Sequence, residues 1–255
     1  MFIATPLEQF QIIPICLFRI GALDFSISNG TIIICSGLFL FVCLLFMACN
    51  LDGNLHVVPS RWQFLFEVLY ETVLGMLVDN VGNRGQKYFP FIFSVFLFVL
   101  IANVIGLVPY SFTVTSHLIL TFSLALTTFV GINIICVREH GFHVFSLFLP
   151  PGSSLGLAFL LVPIELVSYI FRPISLSVRL FANMMAGHTL LKVIAGFSWS
   201  MLLGSGLIFF AHIIPLVVLV ILMGLELAVA CIQAYVFTIL SCIYLNDTFN
   251  LIRFF

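Results

Sequence analysis

Ionisable side chains interrupt the long apolar stretches in the last part of this chain. They are Glu165, Arg172, Arg179, His188, Lys192, His212 and Glu226. A charged group is costly in the hydrocarbon core of a bilayer, so such residues usually face protein or water and mark the path of an ion. Glutamate and histidine can exchange protons near neutral pH when their surroundings are tuned, whereas arginine stays protonated. These residue types therefore indicate proton transfer past a fixed positive charge.

The spacing of these residues predicts a polar face on one helix. A helix turns by about 100° per residue, so positions seven apart lie nearly on the same face. Glu165, Arg172 and Arg179 are successive steps of seven. Polar residues close to the same stripe are Ser168, Ser175 and Asn183. We expect Arg179 to hold a mobile carboxylate in its ionised form and to separate two sets of titratable groups.

A second polar face is predicted on a later helix. Glu226 and Gln233 are also seven residues apart and should share a face. His188 follows Arg179 by nine residues, about half a turn away in azimuth, so it should point elsewhere, into a separate cavity.

Structural roles are alternatives for several of these side chains. Glu165 and Arg172 could equally form a structural pair that joins turns of one helix. Lys192 lies near a predicted helix end, where a lysine extends its ammonium group towards the interface. His212, beside Pro215, is more often a helix-packing histidine than a proton relay. Arg179 has no acid within four residues, which disfavours a structural role for it.

The composition indicates an integral membrane protein. Of 255 residues, 62% are hydrophobic and only 7% are charged, too few to cover a water-facing surface. The net charge of −1 and the lack of a basic run argue against nucleic-acid binding. The seven cysteines form no CxxC pair and mostly lie in apolar runs, so we expect neither a metal site nor a disulfide, and no cofactor.

The apolar runs predict an all-α membrane protein that is a single membrane domain. We expect about five crossing helices, an amphipathic interfacial helix, and a final hairpin of two long, strongly tilted helices. The predicted ranges are 1–30 for an N-terminal segment, 31–49 for span one, 60–79 for the interfacial helix, 88–108 for span two, 114–137 for span three, and 155–197 and 201–248 for the tilted helices.

The distribution of basic residues predicts the orientation. With five crossings, one side holds Arg61, Arg84, Lys87, Arg138 and Arg253, and the other side holds Arg19 and little else. Basic loops face the cytoplasm or its organellar equivalent. The N-terminus is therefore expected outside, and the C-terminus on the matrix or cytoplasmic side.

Three segments resemble a known family. Residues 175–188, SLSVRLFANMMAGH, resemble the signature of ATP synthase subunit a, and residues 226–245, ELAVACIQAYVFTILSCIYL, resemble its final helix. Residues 103–110, NVIGLVPY, look like the end of the family's second span. The resemblance runs from about residue 59 to the C-terminus, and two long motifs at the right separation make it specific.

The resemblance implies roles for individual positions. Arg179 matches the essential arginine that faces the carboxylate of each passing subunit of the rotating c-ring. Asn183 matches its polar neighbour one turn on, and Glu226 and Gln233 match polar positions that line or border the proton path. His188 and Glu165 match positions associated with the half-channels. Many bacterial relatives carry Glu where His188 stands and His where Glu226 stands; the exchange keeps one acid and one imidazole.

The expected function follows from this resemblance. The chain would be the stator subunit that passes protons through two offset half-channels to and from the c-ring, with a peripheral stalk and other membrane subunits as partners. It lacks a GxxxxGK[ST] phosphate loop, so ATP chemistry would occur on other subunits. The alternatives are a proton-coupled secondary transporter and a structural subunit of a respiratory complex. The Phe- and Cys-rich composition favours the mitochondrial inner membrane, with the N-terminus in the intermembrane space, over a bacterial plasma membrane.

Overall fold

The computed structural model describes residues 6–20, 23–24, 26–49, 61–108, 111–141, 155–204 and 211–250. Long helices make up most of this part of the chain, which confirms the predicted all-α membrane class. The N-terminal segment adds two short strand pairs that the sequence did not predict. β1 (Pro14–Cys16) pairs antiparallel with β4 (Ile27–Ser28), and β2 (Arg19–Ile20) pairs antiparallel with β3 (Leu23–Asp24).

The helices follow the apolar runs. They are α1 (Asn29–Cys49), α2 (Arg61–Val81), α3 (Phe89–Gly106), α4 (Leu118–His140), α5 (Leu155–Leu202) and α6 (Ile213–Asn250). Within the described residues, four stretches are long and apolar enough to cross a membrane: Asn83–Gly106, Leu118–Glu139, Phe159–Leu202 and Ile213–Phe249. α1 contributes a shorter apolar helix over Asn29–Cys43. The number of crossings, predicted as about five, stays a prediction.

α2 has the mixed character expected of an interfacial helix. Val73, Met76 and Leu77 are buried at the three- and four-residue spacing that brings side chains onto one helix face. Charged Glu71 and apolar Trp62 are both exposed. A surface that mixes charged and large apolar side chains suits the boundary between lipid and water.

The boundary between the two long helices differs from the prediction. The predicted ranges 155–197 and 201–248 placed the break at Gly196–Ser200, but α5 continues to Leu202 and α6 begins only at Ile213. A single glycine costs a helix only about 1 kcal/mol, which is too little to end α5 at Gly196. α5 also contains Pro163 and Pro173, each of which removes one backbone hydrogen bond of the helix.

The chain forms two compact units whose segments interleave along the sequence. The first unit comprises Met1–Phe41, Leu100–Leu118 and Leu180–Gln233, and its core includes Phe112, Met184 and Ala230. The second unit comprises Val42–Val99, Ile119–Arg179 and Ala234–Phe255, and its core includes Leu77, Ile92, Phe237 and Leu245. α5 and α6 each contribute residues to both units, so the chain does not divide at a linker.

Candidate functional site

An acid and an imidazole meet inside the first unit. His188 on α5 and Glu226 on α6 place Nε2 and Oε1 3.5 Å apart, and their side chains are only 15% and 7% exposed. His188 Nε2 and both Glu226 carboxylate oxygens form no hydrogen bond within the described part of the chain. Buried polar atoms in native proteins normally have a protein or water partner. The pair is therefore a place where a water molecule or a transferred proton can be accommodated.

A glycine makes this approach possible. A Cβ atom added to Gly187 would lie 2.5 Å from Oε1 of Glu226 and 3.0 Å from its Cδ. Real Cβ atoms do not approach other heavy atoms so closely. The Glu226 carboxylate thus lies directly against the α5 backbone, in space that any other residue at position 187 would occupy.

The buried face of α6 continues from Glu226 to Gln233. The two side chains are 6% and 8% exposed, and the side-chain amide of Asn103 on α3 donates a hydrogen bond of 3.4 Å to the carbonyl oxygen of Ala230 between them. Asn103 is fully buried, and its Oδ1 makes no hydrogen bond within the described residues. The shared face of Glu226 and Gln233 agrees with their spacing in the sequence.

A second charged site lies in the second unit. Arg172 Nη1 on α5 donates a hydrogen bond of 3.0 Å to Asp247 Oδ2 on α6. The guanidinium carbon also lies 5.3 Å from the ring centroid of Tyr169 and 4.9 Å from that of Tyr244. The Tyr169 hydroxyl donates to Oδ1 of Asn133 on α4. This cluster ties together α4, α5 and α6.

The alternative pairing of Glu165 with Arg172 is not formed. Seven residues of helix rise by about 10 Å, too far for a direct ion pair between the two side chains. Glu165 is partly exposed and takes part in no ion pair within the described ranges, while Arg172 pairs with Asp247 instead.

Arg179 differs from Arg172 in its surroundings. Its side chain is exposed, and no carboxylate of the described residues lies within the 4.0 Å of an ion pair. Asn183, one turn further along α5, is also exposed, as are Ser168 and Ser175 on the polar stripe. The stripe thus presents a cation and several hydrogen-bonding groups outward from this chain.

The remaining predicted position, His212, precedes α6. Its carbonyl oxygen accepts a hydrogen bond of 3.3 Å from the backbone N–H of Leu216. This backbone contact belongs to the first turn of the helix, and both readings of the His212 imidazole stay predictions.

Sequence reasoning missed two participants in these sites. Asp247 was not among the predicted site residues, although an acid near the end of an apolar helix is itself a signal. Gly187 carried no signal in a single sequence, because its importance depends on the position of Glu226 on another helix.

Comparison with known proteins gives consistent results over nearly the whole chain. A family model described as ATP synthase A chain matches residues 31–246. The chain is 60% identical over 243 residues to ATP synthase subunit a of Pylaiella littoralis, covering 95% of this chain and 97% of that one. It is 50% identical over 249 residues to the protein of the same name in Chondrus crispus, covering 98% and 97%. A bacterial protein of that name, from Paramagnetospirillum magneticum, is 45% identical over 252 residues, covering 97% and 99%.

Proposed function

This chain belongs to the ATP synthase A chain family as a subunit a of an F-type ATP synthase, and on that premise we propose how it moves protons. Protons enter and leave through two offset half-channels, one open to each membrane face. Between them, each proton rides on a carboxylate of the rotating c-ring. Arg179 stands between the two routes and keeps the facing carboxylate ionised.

The observation that carries this proposal is the contrast between an exposed arginine and a buried acid–imidazole pair. Arg179 points outward without an acid partner in the described part of the chain, so its charge is available to a carboxylate on another subunit. An arginine cannot pass a proton on, because its guanidinium stays protonated in proteins. A proton at this point must therefore stay on the ring carboxylate and move with the ring.

The titratable groups occupy both sides of Arg179 along α5. Glu165 precedes it by fourteen residues, and His188, paired with Glu226, follows it by nine. A carboxylate and an imidazole 3.5 Å apart can exchange a proton directly or through one water molecule. In this scheme the His188–Glu226 pair serves one half-channel and Glu165 serves the other. Asn183 and Gln233 supply polar contacts along the path.

The wider setting is proposed from the same family membership. ATP chemistry occurs on other subunits of the synthase, and this chain binds the c-ring, the peripheral stalk and other membrane subunits. We place it in the mitochondrial inner membrane, with its N-terminus in the intermembrane space and its C-terminus in the matrix. A bacterial plasma membrane is the alternative, given the bacterial relative. Family membership does not favour a secondary transporter or a structural subunit of a respiratory complex.

The test is proton flux in vesicles that carry the membrane sector with its catalytic head removed. In Arg179→Ala we expect passive flux under an imposed pH gradient to persist, while ATP-driven pumping and ATP synthesis by the intact complex are lost. Arg84→Ala removes an exposed arginine outside the long helices and should change neither quantity. If Arg179→Ala matches the unmutated complex in both flux and pumping, Arg179 is structural and the proposed path is wrong.

A further inference from the structure

Two arginines on one face of α5 have opposite surroundings. Arg172 is paired with Asp247 at 3.0 Å and flanked by the rings of Tyr169 and Tyr244. Arg179, seven residues later, is exposed and has no such partner among the described residues.

We propose that Asp247 neutralises Arg172, so that Arg179 is the cation on this face that a mobile ring carboxylate encounters. Asp247 thus determines where on this face an unneutralised positive charge lies, and it does not carry protons itself. The inference rests on the proposed function, because it assumes that a ring carboxylate passes along α5.

The need for neutralisation follows from the chemistry of arginine. A guanidinium cannot lose its charge by releasing a proton, so an unpaired Arg172 would remain a cation in all conditions. It lies about 10 Å from Arg179 along the helix, and charges act over such distances where little water screens them. A carboxylate moving past α5 would then meet two attractive sites, and would be held at the wrong one for part of each passage.

Burial alone does not hide the Arg172 charge. Its side chain is 23% exposed, and the Asp247 side chain is 42% exposed, so the pair is open to its surroundings on one side. The rings of Tyr169 and Tyr244 add cation–π attraction and keep the guanidinium beside Asp247. Tyr169 is in turn held by its hydrogen bond to Asn133. The cluster thus fixes a neutral pair where a free cation would otherwise face the ring.

The experiment measures how fast a carbodiimide labels the ring carboxylate in the assembled membrane complex. Carbodiimides react with the protonated acid, so an additional cation that holds ring carboxylates ionised should slow the labelling. We expect Asp247→Asn to slow it by about three- to tenfold and to reduce ATP-driven pumping per assembled complex. The double variant Arg172→Gln with Asp247→Asn should restore both towards the unmutated values. Asp79→Asn, the same change at an exposed residue of α2, is the matched control.

A purely structural role predicts a different pattern. If the Arg172–Asp247 pair only holds α5 against α6, the double variant should pump no better than Asp247→Asn. The ring carboxylate should then be labelled at its unmutated rate in all variants. Either result overturns the proposal.

If Asp247→Asn fails to assemble, Ser175→Lys provides a second test. It adds an unpaired cation to the same exposed stripe and leaves the Arg172–Asp247 pair in place. Slow labelling in Ser175→Lys supports the proposal, and an unmutated rate contradicts it. The proposed function itself fails separately, through normal pumping in Arg179→Ala.

Discussion

The carboxylate of Glu226 on α6 lies against the backbone of Gly187 on α5, where a Cβ atom would stand 2.5 Å from Oε1. The nearest atoms are the far end of a flexible side chain, so a larger residue at position 187 can be accommodated if the carboxylate moves. The cost of such a substitution should therefore appear in proton transfer and not in assembly.

We predict that Gly187→Ala lowers ATP-driven proton pumping per assembled complex, and that Gly187→Val lowers it further. The displaced carboxylate no longer holds its position near His188 Nε2. A displacement of about 1 Å between reacting groups can lower the rate of a reaction by about 100-fold. Gly196→Ala on the same helix is the control, because a Cβ there meets no atom within 4 Å. Equal pumping in the Gly187 and Gly196 variants would show that the close approach of Glu226 to Gly187 does not affect proton transfer.

Replacement of Glu226 by glutamine tests the acid itself. Gln keeps the size and polarity of the buried side chain but cannot release a proton, so the helices should pack as before. We expect pumping to fall by about 100-fold or more, the usual contribution of a positioned acid or base. The measurement is pumping normalised to the amount of assembled complex. Glu71→Gln, at an exposed position of α2, should leave pumping unchanged. Normal pumping in Glu226→Gln would remove Glu226 from the proton path.

His117 predicts a pH dependence of stability. It lies between α3 and α4 and stacks on Phe112 at 5.1 Å, and burial lowers the pKa of its imidazole below the ordinary value. The folded state therefore prefers the neutral ring. Stability is unaffected well above the unfolded-state pKa of about 6.5, falls as the pH drops through that value, and reaches its full loss below the folded-state pKa.

His117→Phe keeps an aromatic ring beside Phe112 but cannot be protonated. The melting temperature of the complex should decline less between about pH 7.5 and 5.5 in this variant than in the unmutated protein. Parallel declines would show that protonation of His117 does not limit stability in this range.

Packing between α3 and α4 depends on Gly131. A Cβ at this position would lie 2.9 Å from Cζ of Phe91, so Gly131→Ala forces the ring to shift and should destabilise the protein by about 1 kcal/mol. Gly75→Ala on α2 meets no atom within 4 Å and should stabilise its helix by up to about 1 kcal/mol. Denaturation midpoints in detergent would measure both. A neutral Gly131→Ala would mean that the Phe91 ring moves without cost.

The features that could be predicted from the sequence are those that depend on a single helix. The lengths of the apolar runs predicted the helices, and a spacing of seven predicted that Glu226 and Gln233 share a face. Partners on different helices were beyond such reasoning. Arg172 and Asp247 are 75 positions apart, and their contact depends on how α5 and α6 lie against each other. Local spacing suggested Glu165 as the partner of Arg172, but two helical turns separate those side chains.

The short N-terminal strands and the end of α5 were missed for another reason. Strands of two or three residues have too few positions to show an alternating pattern. The glycine and serine residues near position 198 resembled a helix end, yet α5 continues to Leu202. In both cases, the local preference of a few residues is too weak to fix where a short element forms or a long one ends.

Because α5 is continuous from Arg172 to Arg179, the number of residues between the two arginines sets the angle between their side chains. One residue inserted between them would turn one guanidinium by about 100° relative to the other, without changing any side chain. Arg179 would then face another direction while Arg172 kept its partner. Seven inserted residues would restore the angle but displace Arg179 by about 10 Å. Homologous chains should therefore tolerate substitutions in this stretch far more readily than gaps.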